Sequence, residues 1–317
     1  MINYAIDWAT KKDLAITKDG VKVKFIPATI ESFDKFLEGL NGDKYQFYFE
    51  EGGGDSFKLL ANRNKHKVFT TLGKNTDNRR EKLSIEKTDE NDVKLIFDMA
   101  KDTPELFREF ALLDIITAKI CVLFKIRKDT EENLVRAKNR LFALNKRLEL
   151  LELGKNKDKL LEKEKDTIDK LEEQFSLQTK TLEKLVNQHP LWNNYLKDEI
   201  GIGAVVAGGL IAGIKRASKF DDKYSLRHYA GMIEKKGNQG FNHQLKRTLY
   251  FFCEGIIKNR KSKWRDVYDS RKLDYQEKHP EWKKGRIHNY TMKFVETKFL
   301  DEVYKKMLEV ENANRFM

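Results

Sequence analysis

Cysteine is nearly missing from this chain: Cys121 and Cys253 are the only two in 317 residues, and both sit inside apolar stretches. Two such cysteines make neither a disulfide framework nor a zinc site, which points to a reducing compartment. Long hydrophobic runs are missing too. The longest, "IGIGAVVAGGLIAGI" at residues 200–214, is glycine-rich and shorter than the about 20 residues a bilayer span needs. The opening "MINYAIDWATKK" has no basic segment followed by an apolar signal core, so a cytoplasmic protein with no membrane partner is expected. Proline is scarce after residue 189, where long amphipathic stretches such as "HQLKRTLYFFCEGIIKN" predict helices.

Charge is plentiful. Lys and Arg number 62 against 50 Asp and Glu, a formal net charge of +12. Nucleic acid is the commonest partner for such an excess, because cations that neutralise phosphates release condensed counterions. A lysine-rich solvated surface is the alternative. The length allows about two domains with a real core.

Three regions differ in pattern. Residues 1–115 alternate as an α/β domain does: strand "NYAIDWAT", a hairpin of "LAITKDG" and "VKVKFIPA" turning at Asp19-Gly20, and helix "TIESFDKFLEGL". Strand "YQFYFEE", helix "SFKLLANRN" and strand "KVFTTL" follow, then a polar basic loop "GKNTDNRREKLSIEK" and a helix bearing Asp89 and Asp92. That order predicts a ribonuclease-H-like fold. Residues 116–188 carry heptads. Leu134, Leu141 and Leu148 fall seven apart, with Ala137, Leu144 and Leu151 three further on; Leu161, Ile168, Leu171, Phe175, Leu182 and Leu185 make a second seam. An antiparallel coiled-coil hairpin is expected, although a plain helical bundle would read much the same. Residues 189–317 form a third, helical region.

Carboxylates carry the candidate chemistry. Asp7 lies on the first strand, and Glu50 closes the aromatic strand just before "GGG". An acid at the end of an apolar strand is costly unless solvated, paired or metal-bound. In a ribonuclease-H-like sheet these two strands are neighbours, and the helix with Asp89 and Asp92 packs beside them. Four such acids could hold two magnesium ions about 3.5–4 Å apart, with Mn²⁺ as a substitute, for phosphodiester hydrolysis. Taken alone, Asp89 and Asp92 are equally an ordinary pair of helix-start acids. Glu51 is the rival for Glu50, which continues the strand directly.

Farther on, "EIGIGAVVAGGLIAGI" reads either as a phosphate-holding helix-hairpin-helix element or as a helix packing closely through small residues. Lys215 and Arg216 follow it. Lys235, Lys236, Asn238, His243, Lys246 and Arg247 cluster around glycines, as a phosphate-gripping segment or as a solvated charge run. Trp264 and Trp282 sit among cations, suited to exposed bases or simply to a core.

"AIDWA", "FEEGGG" and "KTDENDVKLI" resemble the Asp-Glu-Asp-Asp RuvC-like domain of bridge-RNA-guided insertion-sequence recombinases and Piv invertases. "GIGAVVAGGLIAGI" and "FNHQLKRTL" resemble their second domain, so the likeness spans nearly the whole chain. That domain carries a nucleophilic serine between "YAG" and the Asn helix. Here the interval is "MIEKKGNQG", without a hydroxyl, and Ser218, Ser225, Ser262 and Ser270 lie outside it. The shortened segment resembles a Nop domain. RuvC-like domain, coiled coil and Nop-like domain together resemble the TasR nucleases of tandem-interspaced-guide-RNA systems. The resemblance implies an RNA-guided double-stranded DNA endonuclease in a prokaryotic or phage-infected cell. It further implies a homodimer through the coiled coil and C-terminal domain, with Asp7, Glu50, Asp89 and Asp92 as catalytic metal ligands and guide RNA on the C-terminal domain. A bridge-RNA recombinase and a non-catalytic RNA-binding scaffold are the competing expectations.

Overall fold

The computed structural model describes residues 3–8, 13–40, 44–150, 155–233, 240–259 and 261–314. The chain divides into two compact units, Met1–Lys119 and Ile120–Met317.

A mixed six-stranded sheet organises the first unit. Its strands are β1 (Asn3–Asp7), β2 (Leu14–Thr17), β3 (Val23–Ile26), β4 (Gln46–Glu50), β5 (Lys67–Thr71) and the short β6 (Arg108–Glu109). They lie in the order β3-β2-β1-β4-β5-β6. β1 runs antiparallel to β2 and parallel to β4, and β4 is parallel to β5. The β2–β3 turn is set by Asp19, whose Oδ1 accepts the Val21 and Lys22 amides at 2.9 and 2.8 Å, while Gly20 supplies a φ of +73°.

Alternation decides which side chain faces which layer. Tyr4 and Ile6 join Phe47, Phe49, Phe33 and Phe57 on one face, under α1 (Ile30–Glu38) and α2 (Asp55–Arg63). Ala5, Ala15 and Tyr48 take the other face, against Val93, Ile96 and Met99 of α4 (Asp89–Asp102). Phe33, Phe47 and Phe49 are fully buried, each stabilising the fold by roughly 2–3 kcal/mol. Thr88 caps α4, accepting the Asn91 amide at 3.1 Å.

One segment departs from expectation. Residues expected as a polar loop form a helix, α3 (Gly73–Leu83). Its sequence has a single apolar residue, Leu83, so no hydrophobic period announces it. The residues it buries are Thr76 and Arg80. Arg80 pairs with Asp77 one turn back, and Ser84 closes the helix in the left-handed region at φ 52°. Polar contacts, not an apolar stripe, fasten this helix.

In the second unit α5 (Leu112–Glu149, which begins in the first) and α6 (Lys155–Val186) run antiparallel. Arg127 Nε donates to Thr179 Oγ1 at 2.9 Å, and Lys138 meets Glu172 at 2.6 Å. Ala137, Leu148, Leu161, Ile168 and Leu182 are buried along the seam, joined by Arg127, Thr130 and Gln178. The Arg127 guanidinium lies 4.2 Å from the Phe175 ring centroid. Leu151 falls outside the described residues.

Six further α-helices and a 3₁₀ turn (Leu196–Asp198) complete the described part of this unit: α7 (Pro190–Asn194), α8 (Ala204–Ile214), α9 (Lys223–Tyr229), α10 (His243–Lys258), α11 (Lys263–Lys278) and α12 (Lys284–Ala313). Phe252 and Phe299 stack at 3.7 Å, with Trp264 edge-on, to join α10, α11 and α12. Close packing accounts for the glycine-rich α8. A Cβ on Gly208 would press on Leu182 and Val186, on Gly209 would meet Thr248 Oγ1 at 2.6 Å, and on Gly213 would crowd Leu245. Among the described residues no helix is long and apolar enough to cross a membrane.

Candidate active site

Strand register brings Asp7 and Glu50 together. Ile6 pairs with Phe49 across the parallel β1–β4 ladder, so the next residue on each strand, Asp7 and Glu50, stands at the same level, about 4.8 Å away strand to strand. Ile6 and Phe49 enter the α1–α2 face. Asp7 and Glu50 therefore point to the opposite face, where α4 packs. They close the C-terminal ends of adjacent parallel strands, a usual position for a ligand site. Asp89 and Asp92 belong to the first turn of α4, where carboxylates also complement the helix dipole.

The electrostatics report this gathering. Burial, then the charges of Asp92, Glu50 and Asp89, push the Asp7 carboxyl up to about 7, with the Trp8 amide working against them. Glu50 is raised as well, first by burial, then by Asp77 and Asp92; Thr76 and Lys87 oppose. Thr76 Oγ1 is buried and makes no hydrogen bond of good geometry, yet lies near enough to Glu50 to hold that carboxyl down. Asp92 is the most enclosed of the four, at 8% exposure.

Several neighbours went unnoticed in the sequence. Arg80 meets Asp92 Oδ1 through Nε at 2.9 Å and Nη2 at 2.8 Å. Gly73, at the start of α3, lies so close that a Cβ there would stand 2.9 Å from Glu50 Oε1. Trp8 lies across the triglycine loop, and a Cβ on Gly53 would fall 1.5 Å from its indole. Lys58 Nζ donates to the Gly53 carbonyl at 2.6 Å, fixing that loop beside Glu50. The Asp77/Arg80 spacing was the one sequence signal for any of this.

Glu51 has other employment. Arg108 Nε reaches it at 3.1 Å, Thr70 donates to it at 3.2 Å, and the same arginine binds Asp114. It ties β6 to β5 and is separate from the acid group.

Do the four acids suit a divalent cation? All are oxygen donors, the kind magnesium takes. Like charges crowd Asp7, and a cation would relieve that repulsion. Among the described residues, no group of three or more Asp, Glu, His or Cys side chains is drawn tightly enough to enclose an ion as it stands. One of the four, Asp92, is held by Arg80. The donor set fits magnesium on this chemistry.

In the helical unit, His243, Lys246 and Arg247 are exposed on one face of α10, while Leu245, Thr248, Leu249 and Phe252 are buried on the other. His243 lies 4.2 Å from the Phe241 ring, Lys246 covers the same ring, and Arg247 covers Phe251. Lys215 ends α8 at φ 61°, and Arg216 Nη2 donates to Ser218 Oγ at 2.8 Å. Lys235, Lys236 and Asn238 lie outside the described residues. Trp264 is core at 3% exposure. Trp282 is half-buried, stacked on His279 at 3.9 Å with Arg286 4.2 Å from its ring.

No family model matches the chain, and no curated protein matches it. Among solved structures it is matched to Csm6 of Enterococcus italicus bound to cyclic hexa-2'-fluoro-hexa-dAMP. Identity is 12%, over 87% of this chain and 73% of that one, and the TM-score of 0.14 is too low to carry an argument.

Proposed function

We propose that the chain is an RNA-guided, magnesium-dependent DNA endonuclease with a ribonuclease-H-like (RuvC-like) catalytic unit and a Nop-like helical unit. One observation carries the catalytic half. Asp7 and Glu50 share one level on adjacent parallel strands, on the face where the first turn of α4 brings Asp89 and Asp92. The strand order, with β1 between an antiparallel hairpin and parallel β4, supports the ribonuclease-H-like reading.

Asp7, Glu50, Asp89 and Asp92 would hold two magnesium ions. When bound, such a pair activates a water and stabilises the leaving oxygen of a phosphodiester. Around them, Trp8 packs on Gly53 in the loop that follows Glu50, and Arg80 holds Asp92. The cationic face of α10, with Lys215, Arg216 and the segment of Lys235, Lys236 and Asn238, would bind RNA phosphates. Base pairing would then choose the DNA while the protein reads backbone and shape. This guided half, like the homodimer, rests on the resemblance of "EKKG" and the flanking helices to TasR proteins.

The recombinase alternative has no serine in the interval where one is expected. Ser262 is a buried helix cap, Ser225 bonds Asp222, Ser218 accepts from Arg216, and Ser270 is exposed on α11 away from that interval in sequence. The test is to purify the chain with co-expressed RNA, sequence that RNA, and add matching duplex with Mg²⁺. A short repeated species with two guide segments, and cleavage only of matching DNA, is expected. No enriched RNA would defeat the guided reading.

A further inference from the structure

Arg80 touches the acid group directly through Asp92, and its geometry has a consequence for the site proposed above, on which this inference rests. Both Nε and Nη2 converge on a single oxygen of Asp92, Oδ1, instead of bridging the two oxygens as a guanidinium fork commonly does. Asp92 Oδ2 has no hydrogen-bond partner among the described residues. A carboxylate whose side chain is only 11% exposed thus keeps one oxygen uncommitted. Arg80 is itself buried at 8% exposure, and its remaining nitrogen, Nη1, is held 2.5 Å from Asp77 Oδ1. A guanidinium fastened at three nitrogens does not swing freely. Asp77 is half-exposed and outside the quartet.

We propose that Arg80 is a positioning residue: it pins Asp92 through Oδ1 so that Oδ2 is presented to a divalent cation, and Asp77 pins Arg80 in turn. Partners that hold a metal-binding carboxylate in this way set its orientation, and their loss lowers metal affinity about 10–100-fold. This assigns α3 a purpose that its polar sequence does not announce. It brings Arg80 under the first turn of α4 and Gly73 against Glu50.

The sign of the effect separates this role from its opposite. If Arg80 merely filled the place of an ion, its removal would tighten metal binding. Mn²⁺ is titrated calorimetrically into the full-length protein as wild type, Arg80→Gln, Arg80→Lys, Asp77→Asn, Asp92→Asn and the Arg80→Gln/Asp92→Asn double variant. Thermal melts by circular dichroism accompany each titration. Arg80→Gln should weaken Mn²⁺ binding roughly 10–100-fold. Arg80→Lys should restore part of the loss, and Asp77→Asn should produce a smaller loss of the same sign. In the Asp92→Asn background Arg80→Gln should add nothing further, because the arginine acts through that carboxylate. If Arg80→Gln does not fold, Asp77→Asn and Arg80→Lys carry the test, since both keep a cation in place. Unchanged or tighter binding in these variants, or full additivity with Asp92→Asn, overturns the role of Arg80 alone. Failure of the wild type to bind Mn²⁺ overturns the metal-site reading itself, and this inference with it.

Discussion

Replacing Asp7 with asparagine should stabilise the metal-free protein, against the usual rule that altering an enclosed polar residue destabilises. Asp7 is raised from 3.8 to about 7 by burial and by Asp92, Glu50 and Asp89. Between about pH 4 and pH 7 the folded protein keeps a proton on Asp7 that the unfolded chain has released, so stability falls as pH rises through that window. At about 1.4 kcal/mol per pH unit the ionised Asp7 costs at most about 4 kcal/mol above pH 7. Asparagine still carries a desolvated amide, which leaves a gain of roughly 1–2 kcal/mol. For a unit of this size that is about 4–10 °C in Tm. The assay is thermal unfolding in EDTA at pH 5 and pH 8. Asp7→Asn should raise Tm at pH 8, lower it slightly at pH 5, where only about 2 kcal/mol of the cost has accrued and the amide penalty outweighs it, and remove any rise produced by Mg²⁺. A loss of stability at pH 8, or an equal shift at both pH values, would refute the reasoning.

Glu50→Gln should abolish metal-dependent cleavage while sparing the fold. Glu51→Gln should lower stability by roughly 0.5–1 kcal/mol, because Arg108 Nε loses a charged partner while Asp114 still holds the guanidinium, and leave cleavage intact, as paired melts and plasmid assays would show. Gly209→Ala should destabilise the helical unit by roughly 1–3 kcal/mol in a urea titration, because the added methyl meets Thr248 and Phe124. The Lys246→Ala/Arg247→Ala double variant should melt like the wild type yet bind RNA more weakly, with a salt dependence shallower by about two phosphate contacts in filter binding at several salt concentrations.

Much of the first unit was legible because its strands obey period two. "YAID" and "YQFYFE" place apolar residues toward α1 and α2, and alternation then fixes the opposite face for Asp7 and Glu50. Helix α3 was not legible, since it buries a threonine and an arginine and has no hydrophobic stripe. Arg80 stayed hidden for the same reason: its partner Asp92 is distant in sequence and lies on another helix. The leucine seam of α5 and α6 was readable, but Arg127, Thr130 and Gln178 lie in it without an apolar signature. Three successive glycines carry no side-chain pattern to read, and here they are a seat for Trp8. The choice between phosphate-holding and close-packing readings of α8 depended on Leu182, Val186, Thr248 and Leu245, which no local pattern could supply.

Crystals of the full-length protein soaked in MnCl₂, with data collected for manganese anomalous scattering, test the central claim most directly. The account predicts anomalous peaks bounded by the carboxylates of residues 7, 50, 89 and 92, lost in Asp7→Asn crystals. Fully occupied manganese elsewhere with none among these four acids, or a density map in which the four carboxylates stand apart at saturating metal, would contradict it.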